Sequence, residues 1–385
     1  MDRYDVVIVG ARVAGAATAL LLARAGHRVL VVDRARRGSD TLSTHALMRP
    51  AVLQLERWGL LDEVIAAGTP GQDHVVFHYG DTPVRIDTSK RLYAPRRTVL
   101  DAILVDAAER SGANIRFGVD VRGLLHDGHG QVIGVRARNP DRTMEDLYAG
   151  VTVGADGRRS RVAAAVEPTV TRRGATASAF VYGYWAGIEA DGYEWCYRPG
   201  RTAGLIPTNA GRTCVFAGVP RQRFAAELRH DLEGGLHRVL AETTPSVAAR
   251  VAAGRRCGRL MAYPGTPGWL RRPWGPGWAL VGDAGYFKDP TTAHGITDAL
   301  RDAQLLADAL HSALTGELAG HEALGHYERI RDELSTPVFD ATEAVAGFGW
   351  SLEEVQQLHL TISDAMQREV DVLSGLHMPE VAFAV

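Results

Sequence analysis

Gly10 and Gly15 bracket a turn between an apolar run, YDVVIVG, and an Ala/Leu-rich stretch, AATALLLARAG. Asp33 closes a second apolar run, RVLVVD. Glycine at the first position lets the chain reverse, and glycine at the second lets helix and strand pack closely. A helix starting there aims its free N–H groups and the positive end of its dipole at the turn, a field suited to a pyrophosphate. A carboxylate at the next strand end, Asp33, can accept hydrogen bonds from an adenosine ribose. Strand, tight turn, helix and strand in this order is the layout of a dinucleotide-binding unit. Arg12 replaces the middle glycine of G-x-G-x-x-G, so its side chain is expected to point away from the pyrophosphate or toward an anionic group nearby. Ala14 and Arg34 belong to the same candidate set. The apolar run is not read as a secretory signal, because Asp5 precedes it, Arg12 interrupts it and no small-residue cleavage site follows.

These residues need a scaffold, and 385 residues are too many for one typical core, which implies two domains. An apolar fraction of 46% with 23% charged residues describes a soluble globular protein. A net charge of −2 supplies no positive field for nucleic acid. Cys196, Cys214 and Cys257 are far apart and odd in number, so neither a disulfide framework nor a metal site is indicated. No apolar run is long and clean enough for a membrane span, and the expected compartment is a reducing cytoplasm.

Along the chain, helical spacing over Val52, Leu55 and Trp58 predicts a helix closing near Gly59, with a short one after it. Thr41, Ser43, Thr44 and His45 sit at or before its start, where capping is their plainest role. Residues 73–95 alternate as a hairpin, and RRTVLDAILVDAAERSG reads as a helix. Short strands follow to residue 154. From 170 to about 262 aromatic-rich strands predict a mainly antiparallel sheet, with one long helical segment at 221–254. A strand, a Gly-Asp turn, a loop and a long helix then return, followed by helices at about 320–345 and 351–374. The expected fold class is α/β: a discontinuous Rossmann-like domain with a parallel sheet (1–72, 96–168 and 273–335), interrupted by an antiparallel substrate-binding sheet domain (73–95 and 169–272), with C-terminal helices (336–385). Phe348, Trp350 and Leu352 near the last junction are read as plain packing, or as a lid or homodimer face.

Two further signals join the first. In VGADGRRSRV a strand delivers Asp156 and Gly157 into a tight turn followed by basic residues. In ALVGDAGYFKDPTTAHGITDALRDA, Asp283 follows a strand and Pro290 and Gly295 precede a helix. In this order the three resemble the fingerprints of the class A flavoprotein monooxygenases, the para-hydroxybenzoate hydroxylase type, related to geranylgeranyl reductases and flavin-dependent halogenases. The resemblance covers essentially the whole chain. It implies FAD as cofactor, with Gly10, Gly15 and Asp33 at its ADP half. Arg97, followed by Leu100-Asp101, would approach the cofactor, Asp156 would sit beside FAD and the reduced nicotinamide, and Asp283 would contact the ribityl hydroxyls. The loop Pro290–Gly295 would present N–H groups and a helix dipole to the flavin's N1–C2=O edge.

The resemblance also implies a reaction. NAD(P)H as co-substrate reduces FAD, O₂ adds at flavin C4a, and the distal oxygen of the hydroperoxide attacks an electron-rich small molecule. A residue that deprotonates a phenol would help, and His45 and His294 are the histidines expected nearest the ring. Substrate contacts are sought among Tyr182, Tyr184, Trp185, Tyr193, Trp195 and Arg198, chiefly Tyr184 and Trp195. Lys288 and Asp289 are expected to pair with each other. The halogenases' Trp-x-Trp-x-Ile-Pro stretch and a lysine near residues 70–85 are missing, which argues against halogenation. The runner-up activity is C=C reduction of the geranylgeranyl reductase type. A third reading, FAD binding without turnover, fits poorly with the intact loop from Lys288 to Gly295.

Overall fold

The computed structural model describes residues 4–376. Its first unit is β1 (Tyr4–Val9), α1 (Val13–Arg24) and β2 (Val29–Asp33). Next come α2 (Arg49–Arg57), α3 (Leu61–Ala66), the hairpin β3 (Gly71–Tyr79) and β4 (Thr82–Tyr93), and α4 (Arg97–Arg110). Strands β5 (Asn114–Phe117), β6 (Asp120–His126), β7 (Val132–Arg138) and β8 (Met144–Gly154) lead to the short helix α5 (Arg161–Val166). The next strands are β9 (Val170–Arg173), β10 (Ser178–Ala186), β11 (Tyr193–Arg198), β12 (Arg201–Thr208) and β13 (Arg212–Pro220).

A single turn α6 (Arg221–Arg223), α7 (Leu232–Thr243) and α8 (Pro245–Ala253) follow. The one long helix expected here is broken. The Asp231 carboxylate caps α7 by accepting from Gly234 N–H, and Pro245, with no N–H to give, must begin a new helix. Short strands β14 (Arg255–Tyr263), β15 (Trp269–Arg271), β16 (Trp274–Gly275), β17 (Trp278–Leu280) and β18 (Tyr286–Phe287) precede α9 (Gly295–Thr315), α10 (Gly320–Ala346) and α11 (Leu352–Gly375).

The first sheet runs β16-β17-β8-β1-β2-β5, with β7 and β6 added along β8. Pairing is parallel from β17 through β5 and antiparallel at β16, β7 and β6. Alternation along β1 sends Val6 and Ile8 to α1 and α9, and Val7 and Val9 to the β6–β8 side. The second sheet runs β14-β10-β13-β12-β11-β3-β4 and is antiparallel except between β11 and β3. One of its faces, with Tyr182, Tyr184, Trp195 and Phe216, joins the core shared with the first sheet. The other, with Val181, Trp185 and Val215, is covered by α7 and α8. The chain is α/β, as the sequence implies.

Phe348 and Trp350 are buried within the chain, and Trp350 lies over Tyr197 with ring centroids 6.1 Å apart. They serve as packing, and neither is presented as an outer face. The residues before α2 do not cap it. Met48 holds the cap position without a side-chain bond, and its N–H donates instead to Thr297 Oγ1 at 3.2 Å, across to α9.

Candidate active site

A cavity of about 780 Å³ opens between the C-terminal ends of β1, β2 and β8 and the aromatic face of the second sheet. Open α/β sheets bind ligands at such strand ends. Among the expected residues, Gly10, Arg12, Ala14, Asp33, Arg34, His45, Arg97, Asp156, Trp195, Asp283, Pro290 and Gly295 line it. Gly15, Tyr184 and His294 do not.

The polar end is built by the first turn. Gly10 has φ +109°, and a Cβ there would lie 2.5 Å from the Ala155 carbonyl oxygen; one at Gly15 would lie 1.8 Å from that of Gly10. Both glycines are therefore sterically required, Gly15 from behind the cavity wall. Arg12 occupies the cap of α1 without a side-chain bond, so the N–H groups of the first turn are left for another acceptor. The Arg12 guanidinium reaches the backbone carbonyl of Asp40 at 3.4 Å. Asp33 is partly committed, its carboxylate accepting from Ala11 N–H at 2.8 Å and Ala35 N–H at 2.7 Å. Arg97 is held by two bonds to Asp101, at 2.8 and 3.0 Å. Arg34 is exposed at the rim.

Two carboxylates face the cavity under-partnered. Asp156 accepts from Arg161 N–H at 2.6 Å, while its other oxygen is buried with no partner. Asp283 sits on the turn Gly282–Ala284 and has no side-chain hydrogen bond among the described residues. Burial raises the pKa of both, and for Asp283 the charges of Arg158, Arg97 and Lys288 pull the other way. A carboxylate oxygen buried without a donor is costly, as at Asp156, and the half-buried Asp283 is open to the cavity, so both positions suit a ligand's hydroxyl or N–H.

The loop before α9 is anchored by Asp289, which accepts from Ser178 N–H at 2.7 Å, from Thr291 N–H at 3.0 Å and from the Ser178 hydroxyl. Burial pushes Asp289 up to about 6. Lys288 does not pair with Asp289; its ammonium binds Asp298 in the first turn of α9. Ala293 adopts φ +54°, and α9 then begins with no side-chain cap, leaving its first N–H groups to face the cavity at Gly295. His294 stands behind this loop. Its Nδ1 bonds the Thr292 carbonyl, its Nε2 is buried without a partner, and burial pulls it down to about 3.

The other end is aromatic. Phe180, Tyr182, Trp195 and Phe216 line it, with Trp195 and Phe216 at 5.4 Å between centroids. The loop that carries His45 is tied to this wall, since Ser43 N–H donates to Tyr182 Oη at 2.9 Å and His45 Nε2 lies 2.5 Å from Tyr184 Oη. Tyr184 thus reaches the cavity only through His45. His45 is buried at φ +72°, a strained backbone for a side-chain-bearing residue. Burial, then Arg96 and Arg97, hold it well below the usual histidine range, so its imidazole is neutral. Trp185 faces α7 and α8, Tyr193 is core, and Arg198 bonds Asp81 and the Thr243 carbonyl away from the cavity.

Sequence reasoning passed over Arg96, whose guanidinium lies 3.8 Å over the Tyr184 ring, and Arg158, stacked on Tyr263 at 4.8 Å and Phe287 at 5.3 Å. Arg158 follows the Asp156-Gly157 turn directly, so its place at the site was readable; the ring partners come from distant strands and were not.

Comparison with known proteins agrees with this geometry. The chain is 34% identical to aklavinone 12-hydroxylase RdmE of Streptomyces purpurascens over 186 residues, 41% of this chain and only 34% of the hydroxylase. It is 28% identical to menaquinone reductase of Mycolicibacterium smegmatis over 350 residues, covering 80% of this chain and 77% of the reductase. Among solved structures, Pseudomonas aeruginosa PqsL in complex with 2-aminobenzoylacetate superposes with a TM-score of 0.80 at 25% identity, covering 93% of this chain and all of PqsL. Residues 3–247 match the FAD binding domain family, and this chain belongs to that family, the class A monooxygenase-like flavoprotein oxidoreductases.

Proposed function

We propose that the protein is an FAD-dependent, NAD(P)H-using monooxygenase that hydroxylates or epoxidises a small aromatic or apolar molecule. The observation that carries this reading is the two-ended cavity, polar under two uncapped helix N-termini and aromatic at the second sheet. The residues present fit FAD. The Gly10–Gly15 turn and the first N–H groups of α1, beside Ala14, would hold the pyrophosphate, Asp33 the adenosine ribose, and the donor-less Asp283 the ribityl hydroxyls. Arg97 and Asp156 would flank the cofactor, and Pro290–Gly295 would present N–H groups to the flavin ring edge.

When bound, FAD supplies the redox chemistry, taking hydride from NAD(P)H and activating O₂. The balance is one NAD(P)H, one proton, one O₂ and one substrate giving oxidised nicotinamide, water and a product with one added oxygen. The chain's own work is placement. Trp195 and its aromatic neighbours would seat the substrate and exclude water, and the neutral His45, with Tyr184 behind it, would accept a hydrogen bond from a substrate hydroxyl and orient it. His294, behind the loop, would act by holding the start of α9. Three free cysteines, with Cys196 and Cys214 buried, suit a reducing cytoplasm.

The menaquinone reductase alignment, longer than that to the hydroxylase, favours a second reading, reduction of a substrate C=C bond. Turnover in ¹⁸O₂ separates the two. Product bearing one ¹⁸O, with oxygen uptake matching NAD(P)H oxidation, supports the monooxygenase. Product gaining two hydrogens under anaerobic conditions would replace it with the reductase.

A further inference from the structure

We propose that in the buried ion pair of Lys288 and Asp298, in the wall of this cavity, each charge offsets the other's effect on the redox potential of the bound FAD. The inference rests on FAD occupying the cavity, and not on whether the substrate is oxygenated or reduced.

Lys288 and Asp298 are 4% and 5% exposed, and both line the cavity on either side of the loop that leads into α9. Behind them the fully buried Arg301 binds Asp302 at 2.6 and 2.9 Å, Asp298 at 3.4 Å and Ser335 Oγ at 2.8 Å. Glu369 of α11 lies 3.8 Å from Arg301. Burial pushes the Glu369 carboxyl up while Arg301 and Lys288 pull it back, so the cluster sets Lys288 and Arg301 among Asp298, Asp302 and Glu369. The other groups that act on Lys288 are the Tyr286 ring, 4.9 Å from Nζ, Asp283 and His294, which burial keeps neutral.

Buried ionic clusters contribute little to stability compared with apolar packing of the same shape, so this one, beside a redox cofactor, invites a reason in the chemistry. Reduction of FAD adds negative charge to the flavin, and in a water-poor site the neighbouring charges decide how easily that happens. The N-terminus of α9 favours it, the Asp298 carboxylate in its first turn opposes it, and the Lys288 ammonium cancels Asp298. Each partner therefore pushes the flavin in an opposite direction, and the pair together nearly cancels.

The test is the midpoint potential of the FAD-loaded protein, measured by spectroelectrochemistry at pH 6. Burial lowers Lys288 to about 7, so at that pH it is charged. Lys288→Met should weaken binding of reduced relative to oxidised FAD at least tenfold, a fall of about 30 mV for the two-electron couple. Asp298→Asn should shift the same ratio at least tenfold the other way, and the double variant should return to within threefold of the parent. Single variants that stay within threefold, or that move in the same direction, would overturn the proposal, because a packing defect has no sign. If Lys288→Met does not fold, Asp298→Asn and the charge-neutral double carry the same contrast. A Gly15→Val protein that still binds FAD would mean that the flavin lies elsewhere, which is a failure of the cavity assignment and is recognisable as such.

Discussion

Asp283→Ala should move two quantities in opposite directions. In the flavin-free protein the carboxylate has no hydrogen bond among the described residues, and burial raises its pKa. Leaving a buried acceptor unsatisfied costs about 1–3 kcal/mol. Solvent reaches Asp283 from the cavity, and Arg158, Arg97 and Lys288 offset part of that cost, so the lower end applies. The apoprotein should therefore gain about 1 kcal/mol on substitution, roughly 2 °C in Tm for a chain of this size. With FAD bound, the same carboxylate would accept two hydroxyl bonds, each worth about 1.5–3 kcal/mol to a charged acceptor. Their loss weakens binding by about 3–6 kcal/mol, on the order of a hundredfold to ten-thousandfold in Kd. Flavin-fluorescence titration and thermal unfolding of the apoprotein read the two effects separately. An apoprotein that melts lower, or an unchanged FAD affinity, would refute the reasoning, since either means that Asp283 already has what it needs without the cofactor.

Gly15→Val should give protein with little or no flavin, because even the Cβ would stand 1.8 Å from the Gly10 carbonyl oxygen; the flavin-to-protein absorbance ratio reports it. Tyr184→Phe removes the partner 2.5 Å from His45 Nε2 and should slow turnover of a phenolic substrate about a hundredfold at unchanged flavin content, whereas an unaltered kcat/KM would remove this pair from the reaction. Glu194 predicts an acid limit. Burial alone would raise its pKa, yet bonds from His78 and Arg250 hold it at about 2, against 4.5 when free. That difference contributes about 3 kcal/mol to stability, fully present above pH 4.5 and lost as pH falls through 2. Urea midpoints at pH 6 and pH 3 should separate in the parent and draw together in Glu194→Gln; equal separation in both would contradict the assignment.

Features that act through near neighbours were legible in the sequence. Gly10, Gly15 and Asp33 lie within one strand-helix-strand unit, so their spacing alone placed the turn and the strand end. The amphipathic periods of α10 and α11 placed those helices to within a residue or two. The break at Pro245 was equally local and should have been read, since proline at a helix start is a stop signal for the helix before it. What escaped depends on packing. The His45–Tyr184 contact joins residues 139 positions apart, and Lys288 pairs with Asp298 of α9 rather than with its neighbour in sequence. Arg97 was singled out as the cofactor arginine, yet its neighbour Arg96 covers the Tyr184 ring, a distinction that only the direction of α4's first turn decides.

The place of β17 in the first sheet bears on how the protein is made. Trp278–Leu280 lies beside β8, parallel to it, on the edge opposite to that taken by β1. During synthesis the strands up to Gly154 leave the ribosome long before their last parallel partner, and well over a hundred residues of another sheet are made in between. Through that interval the Thr152–Gly154 end of that β8 edge stays open, an invitation to wrong pairing. The same interval lacks Asp283 and the start of α9. A nascent chain can thus shape the pyrophosphate turn early and still have nowhere to seat a flavin ring, so cofactor loading is a late event that waits for the chain to return to its first sheet.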